Sequence, residues 1–177
     1  MKTRLFPLPG RLAWRLLLPV AALLLLSCCG DGEPSLVSPD ELARNLVDML
    51  RRDDREGFMR HLYLSENHLQ CLAEYGGEEL DGGVQRNLAV LPWLRTKTAW
   101  EWTEARDAAF LAGLDWSQAE YVGVTYNLEQ EQSFLFGDLR VRVRSGHGVY
   151  ELRLNDCVKC GGRWFTMDSL HFEGRIR

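Results

Sequence analysis

Histidine and cysteine side chains recur in two short motifs, and both residue types can hold a metal ion or take part in redox chemistry. His68-Leu-Gln-Cys71 and Cys157-Val-Lys-Cys160 each place two such side chains three residues apart. In an oxidising compartment thiols form disulfides, and two cysteines around a tight turn come close enough to pair. We therefore predict a disulfide between Cys157 and Cys160. A bridge from Cys71 to either of these cysteines is the first alternative.

A zinc site is the second alternative for the same residues. His68, Cys71, Cys157 and Cys160 would supply one nitrogen and three sulfur ligands, which is a tetrahedral zinc set. Thiols in an oxidising compartment pair before they bind a metal, so we expect no metal. Redox activity is not expected either, because the first cysteine of a redox pair lies at a helix N-terminus and Cys157 falls at a predicted hairpin turn.

The chain offers little for catalysis. It contains no HExxH, G-x-S-x-G, P-loop or glycine-rich dinucleotide motif. We place His171 opposite Tyr150 on the inner face of a predicted sheet, where an imidazole could act as general acid or base. A hydrogen-bonded structural histidine is the competing interpretation. We predict no cofactor, and the sequence favours a protein that is not an enzyme.

Tryptophan is unusually dense in one stretch. Trp93, Trp100, Trp102 and Trp116 fall within 24 residues. Aromatic rings can stack on sugar rings or fill a core. Trp102 shares a helical stripe with Ala105 and is expected in the core, so the candidate ligand-binding residues are Trp93, Trp100 and Trp116.

The first 27 residues contain four bases and no acids, and they include an apolar run over 16–26. That run is too short to cross a hydrocarbon core of about 30 Å, so a cleaved signal peptide is the better interpretation. Its end, Leu25-Leu26-Ser27-Cys28, resembles the lipobox of bacterial lipoproteins. An ordinary secretory signal that ends near cysteines is the alternative.

The lipobox resemblance implies that Cys28 becomes the lipidated first residue of the mature protein, anchored in a membrane and facing the periplasm. The next residue is not Asp, which favours the outer membrane over the inner one. Membrane lipid, an envelope protein and peptidoglycan or another glycan are then the expected partners. We assign residues 1–27 to the signal peptide, 28–37 to a flexible tether and 38–177 to one domain.

Apolar residues after the tether recur at helical spacing until about residue 120. Ser38-Pro39-Asp40-Glu41 forms a capping box that predicts a helix start. Further helices are expected around Phe58 to Leu62, from Ser65 to Gly76, over 84–91 and from Thr98, with a loop over 76–83.

The period then changes to two, which predicts antiparallel strands. A turn at 145–148 pairs Val143 with Tyr150 and Val141 with Leu152, and it places Arg142 opposite Glu151. A second turn at 159–162 predicts a further antiparallel pairing. The expected pairs are Asp156 with Phe165, Leu154 with Met167, Leu152 with Ser169, and Arg153 with Asp168.

A strand over 121–128, with Val122, Val124 and Tyr126 alternating, completes a four-stranded meander. The sequence thus predicts an α+β fold with N-terminal helices on one face of a C-terminal four-stranded antiparallel sheet.

Charge follows the same division. Residues 138–177 hold 8 bases and 5 acids, whereas residues 28–137 hold 9 bases and 20 acids. This acidity and the predicted export argue against nucleic acid as a partner. Arg140, Arg142 and Arg144 form a stripe that could bind anionic glycans or lipid phosphates, or could be a solvated face neutralised by Glu151 and Asp168.

Helices followed by a curled antiparallel sheet resemble the nuclear-transport-factor-2-like cone, on the strength of Tyr150-Glu-Leu-Arg-Leu, Gly161-Gly162 and Arg163-Trp164-Phe165. Members of that family include enzymes, ligand binders and scaffolds, so the resemblance does not select one activity. We predict a lipid-anchored envelope protein that acts as a non-catalytic binding or assembly module. A small-ligand or enzymatic pocket inside a cone-shaped sheet is the alternative.

Overall fold

Residues 34–176, apart from 77 and 132–133, are described by the computed structural model. The predicted signal peptide, the lipidation site Cys28 and tether residues up to 33 lie outside the described residues. The end of the predicted tether is packed, because Leu36 is buried and its carbonyl accepts from the Trp164 N–H at 2.8 Å. The ordered contacts of the domain therefore begin before Ser38.

Helix α1 (Pro39–Arg52) begins at the predicted capping box. Ser38 Oγ accepts from the Glu41 N–H at 3.2 Å, and the Ser38 N–H donates to Glu41 Oε2 at 3.1 Å. The helix ends at Asp53, whose left-handed backbone has a φ of 55° and whose N–H donates to the Leu50 carbonyl. The reciprocal cap satisfies two backbone donors that the helix itself leaves unpaired.

Two of the predicted helices follow α1. Helix α2 (Arg55–Gly57) continues into a π-helical turn (Phe58–Leu62), and helix α3 spans Glu66–Gly76. Ser65 Oγ accepts from the His68 N–H at 3.3 Å, which caps α3 as its sequence predicts.

Helix α4 (Glu78–Leu111) is one helix of 34 residues, where we predicted a loop and two helices. Thr98 is buried inside it, so its predicted role as a helix cap is wrong. Pro92 and two glycines lie within the helix at a cost of roughly 3 kcal/mol and 1 kcal/mol each. The buried stripe of Trp102, Ala105 and Ala109 offsets that cost through packing against the core.

The sheet follows a 3₁₀ turn (Trp116–Gln118) and has five antiparallel strands. Their bounds are β1 Glu120–Glu131, β2 Phe134–Ser145, β3 Gly148–Cys160, β4 Arg163–Thr166 and β5 Leu170–Ile176. The order is β1-β2-β3-β4, and β5 also pairs with β3. The predicted α+β class is confirmed, with the helices in the N-terminal half and the sheet at the C-terminus.

The predicted register of the β2–β3 hairpin is confirmed. Val143 pairs with Tyr150, Val141 with Leu152, and Arg142 with Glu151. The register predicted beyond β3 is wrong, because Leu154 pairs with Leu170, Leu152 with Phe172, Arg153 with His171, and Val158 with Phe165.

The shift between β3 and β4 begins at the turn, because Cys160 pairs directly with Arg163 and the turn holds two residues instead of four. Two irregularities lie where the register changes by one more residue before β5. Asp156 has a φ of 46°, and its N–H donates to Asp138 Oδ1 at 3.2 Å instead of continuing the ladder. The return strand is also divided, because Thr166 Oγ1 donates to the Asn155 carbonyl at 2.6 Å and accepts from the Asp168 N–H at 3.3 Å. The predicted single strand is therefore two strands, β4 and β5.

The inner face of the sheet is filled with apolar side chains beneath the helices. Its buried residues are Leu139, Val141, Val143, Tyr150, Leu152, Leu154 and Leu170. Within the described residues, no helix combines the length and the apolar composition needed to cross a bilayer.

Candidate functional site

The disulfide joins Cys71 of α3 to Cys160 at the end of β3, with Cα atoms 6.2 Å apart. The predicted Cys157–Cys160 bridge is wrong, and the alternative through Cys71 is confirmed. Cys157 and Cys160 both lie in β3, where residues three apart are separated by about 10 Å. The Cα atoms of a disulfide lie within about 7 Å. The tight turn holds only Gly161 and Gly162, so it begins two residues later than the predicted turn over 159–162 and ends at the same residue.

The zinc alternative is also wrong, because two of its four ligands form that disulfide. Within the described part of the chain, no group of three His, Cys, Asp or Glu side chains has a geometry that could hold a metal. Cys157 is buried, and burial raises the pKa of its thiol well above the ordinary value. A protonated, inaccessible thiol is a poor ligand and a poor nucleophile.

His68 packs against the core beside the disulfide. Its ring stacks on Phe165 with parallel planes and centroids 4.0 Å apart. Burial lowers the pKa of His68 from 6.5 to about 4, so the ring is neutral near pH 7. This histidine has the environment of a structural aromatic residue.

His171 lies on the opposite side of the sheet from its predicted position. It pairs with Arg153, whereas Tyr150 pairs with Arg175 and is buried. Successive residues of a strand face opposite sides, so the register shift moves His171 from the apolar inner face to the outer face. The predicted combination of His171 and Tyr150 in an inner pocket is not formed.

The tryptophans separate into two groups. Trp102 and Trp116 are buried, and Trp116 Nε1 donates to the Arg106 carbonyl at 3.1 Å. Trp116 is therefore not a surface for a ligand. Trp93 and Trp100 are 64% and 65% exposed, on the side of α4 away from its buried stripe. Trp100 is two residues from Trp102, which places the two rings on opposite sides of a helix.

Three adjoining cavities lie along one flank of α4, where it meets the segment over 53–67. We call this surface the α4 groove. The middle cavity has a volume of about 550 Å³, and the cavities on either side have volumes of about 430 and 300 Å³. The middle cavity is lined by Arg55, Glu56, Met59, Arg95, Thr96, Ala99, Trp100 and Thr103.

Ion pairing fixes one end of the groove. Arg106 Nη1 lies 2.6 Å from Asp53 Oδ1, and Arg106 Nε donates to the Leu50 carbonyl at 3.1 Å. Trp102 Nε1 also donates to Asp53 Oδ1, at 3.3 Å. These contacts hold α4 against the left-handed residue that ends α1, so the groove has one wall of fixed position.

The outer face of the sheet carries the predicted arginine stripe. Glu151 is buried there, with Oε1 2.9 Å from Arg140 Nη1 and Oε2 3.6 Å from Arg142 Nε. Arg153 pairs with Glu173 at 3.1 Å. Asp168, expected to neutralise this face, instead lies 3.6 Å from Lys97 Nζ. The acids paired with these arginines reduce the affinity of this face for an anionic surface.

The α4 groove is the part of the site that the sequence did not predict. Arg55 and Arg95 are far apart in the chain, and only the packing of α4 on α2 brings them to one cavity. A helical projection could have indicated that Trp93 and Trp100 lie opposite the buried stripe.

Comparison of the chain with protein-family models, with curated proteins and with solved structures finds no match.

Proposed function

We propose that this chain is a lipid-anchored protein of the bacterial cell envelope, with the outer membrane favoured, and that it acts as a non-catalytic binding module. The anchor is the lipid on Cys28, and the binding surface is the α4 groove. The proposal combines the lipobox resemblance at the N-terminus with two features of the folded domain, which are the apolar inner face of the sheet and the α4 groove.

The spacing between the proposed anchor and the folded residues supports action at a membrane surface. Cys28 precedes Pro34, the first described residue, by six positions. Six residues span at most about 20–22 Å when fully extended. A domain tethered in this way would stay within a few nanometres of its membrane.

The main support for a non-catalytic role is that apolar side chains fill the inner face of the sheet. Seven inner-face residues are buried beneath the helices, including Tyr150, and His171 lies on the other face. An enzyme or a small-ligand cone would need these groups to line an accessible cavity. The alternative of a pocket inside the sheet therefore has less support than a module that binds on its surface.

Mass spectrometry of the N-terminal peptide tests the anchor. When the full-length chain is expressed, the mature protein isolated from membranes should begin at Cys28 and carry the added mass of a diacylglyceryl group. Cys28→Ser should remove that mass and release the protein from the membrane fraction. Cys29→Ser is the matched control and should leave both unchanged. An unmodified mature N-terminus would refute the anchor.

Site-specific photo-crosslinking in envelope membranes tests the binding surface. A photoreactive amino acid at Trp100 should form a discrete adduct, whereas the same group at Arg144, on the outer sheet face, should not. Adducts from Arg144 alone, or from neither position, would contradict binding through the α4 groove.

A further inference from the structure

We propose that the α4 groove binds a saccharide that carries a carboxylate, with Trp100 as the stacking platform and Arg55 and Arg95 as the carboxylate ligands. This inference rests on the proposed function, because it names the class of ligand that the same surface binds. It follows from the order of side chains along the groove.

One wall and the floor of the middle cavity suit the apolar face of a sugar ring. Trp100 is 65% exposed and lines the cavity, and Met59 and Ala99 line it beside the indole. An exposed indole at a concave site offers a large flat surface at little cost in side-chain entropy. Met59 is itself buried, so this floor belongs to the core and keeps its position.

Hydroxyl groups on the same helix face suit the polar edge of a sugar. Thr96 Oγ1 donates to the Pro92 carbonyl at 3.0 Å, and Thr103 Oγ1 donates to the Ala99 carbonyl at 3.4 Å. Each hydroxyl proton is thereby used within the helix, which leaves the oxygen lone pairs to accept from ligand hydroxyls. From residue 95 to 103 the helix rises about 12 Å, enough for two linked sugar rings.

The charges in the middle cavity select for an acid. Arg55 and Arg95 both line it, against the single carboxylate of Glu56. Arg95 Nη1 donates to the Leu64 carbonyl at 3.3 Å, which orients the guanidinium and leaves its other donors for a ligand. Arg55 Nη2 is 3.8 Å from Glu56 Oε1 and both side chains are exposed, so this contact is weak. Guanidinium groups bind carboxylates through paired hydrogen bonds.

The other exposed tryptophan provides a control that the fold itself supplies. Trp93 is on the same helix and equally exposed, but it does not line the middle cavity. A general affinity of exposed tryptophan for sugars would involve both residues. Binding in the groove would involve Trp100 and not Trp93.

Calorimetric titration of the full-length protein in detergent tests the proposal with three probes. The acidic probe is the disaccharide of N-acetylglucosamine and N-acetylmuramic acid. The neutral probe is the disaccharide of two N-acetylglucosamines, and lactate supplies a carboxylate without a ring. We expect saturable binding of the acidic disaccharide, at least about tenfold weaker binding of the neutral one, and none of lactate.

Variants then assign the binding to the groove. Trp100→Ala and Arg55→Gln should each weaken binding of the acidic disaccharide by about tenfold, while Trp93→Ala leaves it unchanged. Both tryptophan variants alter exposed side chains, and an unchanged melting temperature verifies their folding. Equal binding of the two disaccharides would overturn the acidic class, and equal losses from Trp93→Ala and Trp100→Ala would overturn the site.

Failure here is distinguishable from failure of the proposed function. If no saccharide binds, but the Trp100 photo-crosslink in membranes still yields a protein adduct, the saccharide class is overturned and the binding module stands. If Cys28 carries no lipid but the acidic disaccharide binds through Trp100, the envelope anchor fails and the inference about the groove stands.

Discussion

His68 shows how the packing of one side chain can make the stability of the fold depend on pH. Its ring lies flat on Phe165, and burial disfavours the charged imidazolium in the folded state. The folded pKa of about 4 is below the ordinary value of 6.5. The unfolded chain therefore takes up a proton at this residue at a higher pH than the folded chain does.

The sign of the effect follows from that difference. His68 should lower the free energy of unfolding as the pH falls from 6.5 toward 4, with a slope that cannot exceed about 1.4 kcal/mol per pH unit for one proton. His68→Phe keeps an aromatic ring and removes the proton, so its urea-unfolding curve should depend less on pH in this window.

The wild-type protein, measured over the same pH range, supplies the reference for that measurement. If His68→Phe and the wild-type protein lose stability in parallel between pH 6.5 and 4, the carboxylates alone account for the slope.

Residue types alone predicted part of the chemistry of the site. The sequence indicated a disulfide and identified Trp100 as a candidate ligand-binding residue. It could not decide which cysteine pairs with Cys160, because that depends on how far β3 extends and where α3 packs against it. It could not identify Arg55 or Arg95 either, since a cavity formed by two helices has no local pattern.

At the scale of elements, local signals located the regular parts and missed the irregular ones. The capping box at Ser38 and the alternation in the β2–β3 hairpin are confirmed, because hydrogen bonds and burial within a few residues determine them. Helix α4 and the β4–β5 division are set by tertiary packing instead. The glycines indicated a loop over 76–83, and burial of the α4 stripe outweighs that local preference.

Gly137 in β2 provides a test of one irregular element. It lies at the register shift between β2 and β3, and a Cβ there would collide with the Asn127 carbonyl oxygen on β1. We expect Gly137→Ala to lower the free energy of unfolding by about 1–3 kcal/mol, because the backbone of β1 cannot move aside cheaply. Urea denaturation measures the change.

Gly123 in β1 is the matched control, because nothing lies within 4 Å of the Cβ that Gly123→Ala would add. That substitution should change the free energy by no more than about 0.5 kcal/mol. A similar loss of stability at both positions would mean that the backbone conformation of glycine, and not the close approach of the Asn127 carbonyl oxygen, explains the cost.

At the scale of the whole domain, a few cross-links join the helical half to the sheet. Tyr121 Oη donates to Asp40 Oδ1 at 2.6 Å, which lowers the pKa of Asp40, and Lys97 Nζ donates to Ser169 Oγ at 3.1 Å. The disulfide is the covalent member of this set and closes a loop with a sequence separation of 89. It restricts the unfolded chain more than any short-range contact does.

Removing the disulfide should therefore destabilise the whole domain. We expect Cys71→Ala with Cys160→Ala to lower the free energy of unfolding by about 2–4 kcal/mol, measured by urea denaturation without reductant. Reductant should lower the stability of the wild-type protein by a similar amount and leave the double variant unchanged. Cys157→Ala should stay sensitive to reductant, because Cys157 is a buried free thiol. Loss of that sensitivity in Cys157→Ala, together with its retention in the single variant Cys71→Ala, would return the bridge to Cys157 and Cys160.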